Sequence, residues 1–204
     1  MALPSQQAMV DFPTDDIYNK RIRDLLLERG GADYRLTPLR LHVENLSSDV
    51  VDIRNIRAKR THTASPFRAA KIYHPTAGER TIPYLHYNLD DSEPSAWEMT
   101  YSPDTGEWVS EKRPYFTAKY ISLQPKETFE IYIFGAAQRI YCEWNLEIDF
   151  ILGKDYGCIP VHDTNGPFKT SGTPQEGFET DWHWVWWEAD VDRRGFYPSS
   201  HFPI

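Results

Sequence analysis

Arg139-Ile-Tyr-Cys-Glu-Trp-Asn-Leu-Glu-Ile-Asp-Phe-Ile-Leu152 is the stretch on which the fold turns. Ile140, Cys142, Trp144, Leu146, Ile148, Phe150 and Leu152 fall on one side of an extended chain. Arg139, Tyr141, Glu143, Asn145, Glu147 and Asp149 fall on the other. This two-residue period is that of a strand with one face on a core and the other in water, and seven inward positions in a row exclude a helix.

The same period extends outward from this strand. Upstream, Phe129, Ile131 and Ile133 alternate with Thr128, Glu130 and Tyr132 behind a turn at Gln124-Pro125-Lys126. Downstream, Gly153-Lys154-Asp155 reverses the chain into Tyr156–His162, and Asn165-Gly166 offers the next turn. A meander of at least three antiparallel strands is expected. Earlier in the chain Leu39, Leu41 and Val43 alternate, Glu44–Asp49 breaks the pattern, and Val51 and Ile53 resume it, which reads as a hairpin. Thr81–Leu89 reads as a further strand, and Arg57–Pro75 is basic without an assignable period.

One segment departs from this pattern. Thr14 suits an N-cap, Asp15 and Asp16 suit the positive end of a helix dipole, and Gly30-Gly31 supplies a stop. Tyr18, Ile22, Leu25, Leu26 and Arg29 form one stripe between them, so residues 14–30 are expected as an amphipathic helix after a surface arm over 1–13.

Composition agrees with a β class. The chain has 204 residues, enough for a full core yet within the range of one domain, and 14% of them are aromatic, so each core position buries much area. Fifteen Pro and eleven Gly fit strands joined by shaped turns. The expected architecture is all-β and mainly antiparallel: a β-sandwich, immunoglobulin-like or jelly-roll-like, over 34–204, with one N-terminal helix and a single domain overall. The net charge of −8 is uneven, with 13 basic against 10 acidic side chains in residues 1–80 and 9 against 20 in 81–204. Phosphate backbones repel such a surface, which argues against nucleic acid as a partner. No stretch is long and apolar enough to span a bilayer, and no basic region leads an apolar run at the start, so a cytoplasmic location is expected.

Leu39-Arg-Leu-His-Val-Glu-Asn-Leu-Ser-Ser-Asp-Val-Val-Asp-Ile53, with the later Ile121-Ser-Leu-Gln-Pro-Lys-Glu-Thr-Phe-Glu-Ile-Tyr-Ile133, resembles the strand–turn–strand wording of immunoglobulin-like and fibronectin-III-like accessory sandwiches. In those domains a segment reading leucine-x-proline-glycine-glutamate crosses between sheets, and Lys126 stands here at the glycine. The resemblance implies a sandwich that binds or spaces and carries no functional residue. The N-terminal helix and the length depart from the simple module.

Candidate sites are few. Cys142 and Cys158 would lie about eight residues apart along a hairpin in which Cys158 faces Phe150, roughly 26 Å, far beyond disulfide reach, so both are expected as free thiols buried in the core. The seven histidines show no metal-ligand spacing, and neither acidic turn has the spacing of a calcium loop, so no metal or cofactor is expected. Glu143, Glu147 and Asp149 share a face, and Glu147 and Asp149 are about 6.6 Å apart by strand rise, a spacing compatible with glycoside hydrolysis. Alternating acids also keep an outer sheet face wet, which is the commoner reason for them. No nucleophile elbow or phosphate loop is present, so no catalytic residue is assigned.

Arg54, Arg57, Lys59 and Arg60 form the best candidate patch for an anionic partner, although basic side chains also guard strand edges. The densest aromatic run is Trp182, His183, Trp184, Val185, Trp186 and Trp187, which as a strand is apolar on both faces. One face packs on the core and the other needs a cover: the chain's own helix or tail, another protein, or a sugar. The leading expectation is a non-catalytic module for protein–protein interaction, self-association or assembly that uses this run. A carbohydrate-binding domain and a glycoside hydrolase-type enzyme are the alternatives.

Overall fold

The computed structural model describes residues 1–9, 22–73, 84–102, 107–111, 113–164, 166–185 and 195–198. Among them strands predominate, with one short α-helix. Numbered in chain order, the strands form three sheets. The five-stranded sheet runs β3 (Leu36–Glu44), β10 (Thr128–Ala136), β6 (Tyr84–Asn88), β7 (Trp97–Ser102), β8 (Glu107–Ser110). The six-stranded sheet runs β2 (Asp33–Tyr34), β13 (Phe168–Ser171), β11 (Tyr141–Leu152), β4 (Val51–Ala64), β9 (Ile121–Leu123), with β12 (Asp155–Val161) also on β11. The four-stranded sheet runs β1 (Ala2–Leu3), β5 (Ala70–Tyr73), β14 (Thr180–Val185), β15 (Gly195–Pro198).

Each sheet contains a parallel pair, β10 with β6, β13 with β2 and β14 with β5, so the sheets are mixed where mainly antiparallel ones were expected. Alternation reports which face of a strand is buried; it carries no information on the direction of the neighbour.

Two pairings expected from the sequence differ for the same reason. Strands β3 and β4 do not form a hairpin: β3 pairs β10 in one sheet and β4 pairs β11 and β9 in the other. Likewise β10 and β11 are not meander neighbours, because residues 137–140 carry the chain between sheets. Asp90 holds that crossing, accepting from the backbone N–H groups of Gln138 and Arg139 at 3.1 Å each. The β11–β12 hairpin does form. Its loop is Gly153-Lys154, with Gly153 at φ +62°, the backbone that a glycine at the first position of a two-residue loop supplies.

Two crossings between sheets lie side by side. Residues 45–50 link β3 to β4 and residues 124–127 link β9 to β10, and they are bonded through Asn45 N–H to the Glu127 carbonyl (3.0 Å) and Lys126 N–H to the Asn45 carbonyl (2.8 Å). The buried Asn45 amide donates to the carbonyls of Asp49 and Leu123. Gln124–Glu127 is a turn closed at 2.9 Å with Lys126 at φ +65°, the left-handed position that favours glycine.

One core cluster draws from both larger sheets: Ile56 and Ala58 of β4, Trp144 and Leu146 of β11, Leu85 and Tyr87 of β6, Ile131 and Ile133 of β10. Trp144 is completely buried at its centre. Polar atoms at this centre are paired within the six-stranded sheet and across the gap, as burial demands. Trp144 Nε1 donates to Thr170 Oγ1 (3.0 Å), which meets Thr37 Oγ1 at 2.6 Å, and Tyr87 Oη donates to the Ile56 carbonyl at 2.6 Å.

A second cluster, Leu3, Leu26, Ala70 and Ile72, lies between the four-stranded sheet and α1 (Ile22–Glu28). The helix ends as its glycines require. Gly30, at φ +82°, donates to Leu27 and Gly31 donates to Leu26, a Schellman stop. Residues 10–21, which include the expected helix start and Tyr18, lie outside the described residues. The surface arm expected over 1–13 is corrected at its beginning: Ala2 and Leu3 are fully buried and pair with β5. Two apolar side chains are too short a run to show a period, so the reading missed them.

Candidate interaction surface

Two bulges in β4 build the surface. Trp144 faces Arg60 where Glu143 faces His62, and Phe150 faces Ile53 where Asp149 faces Asn55, so Thr61 and Arg54 are the extra residues. Between the bulges Ile56 and Ala58 point to the core, while Arg57 and Lys59 stand on the outer face opposite Glu147 and Asn145.

The resulting charges neutralise one another. Arg57 Nη2 lies 2.8 Å from Asp149 Oδ1 and 3.1 Å from Glu147 Oε2, and Lys59 Nζ lies 2.9 Å from Glu147 Oε1. The predicted basic patch is therefore dispersed. Arg57 and Lys59 serve these acids, Arg54 pairs with Asp52 at 3.0 Å and stacks over Tyr120, and Arg60 donates to the Leu89 carbonyl. The predicted carboxylates are equally engaged, Glu147 and Asp149 by one guanidinium and Glu143 by Tyr141 Oη at 2.7 Å. They share the expected face, where these partners take up their oxygens. An open groove of about 760 Å³ runs beside them, lined by Arg57–Thr63, Ser92–Pro94 and Glu147.

On the far side of β11, β12 continues this face. Cys158 stands opposite Asp149, one residue from the predicted register; both cysteines are free, but Cys158 is exposed where a buried core thiol was expected, because the one-residue shift puts it on the outer face with Asp149 rather than on the core face with Phe150. Partial desolvation, then the hydrogen bond to Asp149, raises the Cys158 thiol above its ordinary pKa, and Tyr156 is raised by the same causes. Tyr156 and Ile159 are 66% and 50% exposed, high for an aromatic ring and a branched aliphatic chain in a strand. Among the described residues, β12 has no strand on its outer side. The sequence showed the strand and not its position. Pro160 was the available signal, since proline inside a strand marks an edge.

The tryptophan run is divided. Trp182 packs against the second cluster with Met1 and Ile22, on the side covered by α1. His183 and Trp184 lie on β14, the first in register with Tyr73 and Tyr197 and the second with Phe196. Trp186 and Trp187 lie outside the described residues.

Among the described residues no group of three or more His, Cys, Asp or Glu is placed to hold a metal ion, and no helix is long and apolar enough to cross a membrane. No family model, curated protein or solved structure matches the chain.

Proposed function

We propose that this protein is a non-catalytic module of protein–protein interaction or assembly, a β-sandwich of the immunoglobulin-like or jelly-roll-like class that engages its partner along the outer edge of β12. The observation that carries the reading is that edge: a seven-residue strand, paired on one side, with Tyr156 and Ile159 exposed. Proteins usually cover, charge or shorten such edges, because an open one accepts another chain through main-chain hydrogen bonds. The core shared by the two larger sheets supports the sandwich. The free thiols support a reducing compartment.

This reading moves the contact away from Trp182, which serves packing within the chain. Sugar recognition draws less support, since among the described residues those lining the groove beside Glu147 include no Trp, Tyr or Phe on which a sugar ring would stack. Capture of proteins from native extract on immobilised wild type, on a Tyr156→Lys/Ile159→Lys variant and on Trp184→Ala tests it. The edge variant is expected to lose the captured protein and the Trp variant to keep it. Retention by the edge variant, with its circular dichroism unchanged, overturns the assignment.

A further inference from the structure

We infer that the strand added to β12 is β12 of a second copy of this chain, paired antiparallel about Cys158 in a symmetric dimer; this inference rests on the edge-binding reading above. The two-residue loop decides which groups are free. Leu152 and Asp155 close the hairpin as a bonded pair, so Asp155, Gly157, Ile159 and Val161 direct their N–H and C=O groups at β11. Tyr156, Cys158 and Pro160 direct theirs outward. Pro160 thus stands where its missing N–H takes nothing from the existing ladder.

Two such edges meet in registers that match the outward set with itself, and charge distinguishes among them. Lys154 and Asp155 lie at one end of β12, His162 and Asp163 just beyond the other. Centred on Cys158, the antiparallel pair sets Lys154 of one copy against His162 of the other, Asp155 against Val161 and Asp163 against Gly153, so no carboxylate faces a carboxylate. Centring on Ile159 sets Asp155 against Asp163, and centring on Gly157 sets Lys154 and Asp155 against Pro160 and Ile159. A parallel pair in register stacks Lys154 on Lys154 and Asp155 on Asp155. Like charges directly opposite are unfavourable across strands, which disfavours the Ile159-centred and the parallel arrangements and leaves those centred on Cys158 and on Gly157.

Shape separates these two, since centring on Gly157 sets the exposed Ile159 against Asp155, whereas centring on Cys158 does not. In this register Ile159 of each copy faces Gly157 of the other, over which the Phe150 ring lies so closely that a Cβ on Gly157 would sit 2.3 Å from Phe150 Cζ. The exposed Ile159 thereby gains an apolar neighbour. On the opposite face Tyr156 meets Pro160, and the Cys158 main chains exchange both hydrogen bonds, while each Tyr156 N–H reaches a Pro160 carbonyl.

The two Cys158 residues then face each other with Cα atoms about 5.5 Å apart, within disulfide range. Diamide is the probe: two thiols form one S–S bond and transfer two electrons and two protons to the N=N group, which becomes a hydrazine. The full chain is expected to sediment as a dimer and to give a diamide-linked dimer on non-reducing gels. Cys158→Ser is expected to keep the dimer in sedimentation and lose the cross-link. Ile159→Lys and Tyr156→Lys, on opposite faces of the strand, are each expected to give monomers with unchanged circular dichroism. A wild-type chain that stays monomeric at the highest concentration attained overturns the self-pairing; if the edge variants still lose a captured protein, the edge reading stands without it. A dimer that survives both lysine substitutions, or that never cross-links through Cys158, overturns it as well.

Discussion

At Gly135 the fold depends on the absence of a side chain. A Cβ there would lie 2.2 Å from Trp144 Cζ2, inside the ring that anchors the main core. Trp144 cannot withdraw without breaking its bond to Thr170 and, through it, the contact with Thr37. Gly135→Ala is therefore expected to lower stability by about 3 kcal/mol, at the upper end for an overpacked core, as a reduced urea midpoint with an unchanged slope. Trp144 itself was legible, because it is one of the seven inward positions, flanked by Cys142 and Leu146. Its seat was not, although a lone glycine in the run Phe134-Gly135-Ala136 is the mark of a close approach. Asn45 was read as part of an ordinary turn; nothing local announces that its amide bonds to Leu123, 78 residues away.

Among elements, β4 and β12 show where a pattern-based reading ends. Ile53 and Ile56 are both buried although three residues apart, because the Arg54 bulge shifts the alternation, and the Thr61 bulge and the strand end at Ala64 break the period of the basic run after Arg57. The ion pairs between β4 and β11 were equally hidden, since a single strand does not reveal which neighbour will face it. Pairing of β12 with β11 has a measurable chemical result. Asp149 beside Cys158 disfavours the thiolate, so alkylation of Cys158 by iodoacetamide in the native protein is expected to accelerate only at a pH above that of a free thiol. Asp149→Asn should move that acceleration to lower pH, while the buried Cys142 should stay unlabelled in both proteins. Equal rates for the two proteins across the pH range would contradict the contact.

For the molecule as a whole, the two larger sheets and their common core determine how stability responds to alkali. Burial pushes the Cys142 thiol from 9.0 up to about 12, and the Tyr87 and Tyr141 hydroxyls are likewise raised, first by burial and for Tyr141 also by Glu143. In the unfolded chain these groups lose their protons sooner, so the unfolded state binds fewer protons and stability falls with rising pH. The Cys142 contribution is complete below about pH 9 and declines towards pH 12. Urea midpoints measured at steps across that window should fall, and less steeply in Cys142→Ala. A midpoint independent of pH there would count against a buried thiol.

The paired crossings at 45–50 and 124–127 govern how such a chain reaches its native state. Strand β3 must wait for β10 and β4 for β9, each partner being some seventy or more residues further along the chain. Whichever ladder forms first reduces the loop of the other to the two short crossings, which Lys126 and Asn45 then bond together. The search is slow because its contacts are distant, and the shared crossings tie the appearance of one sheet to that of the other in time.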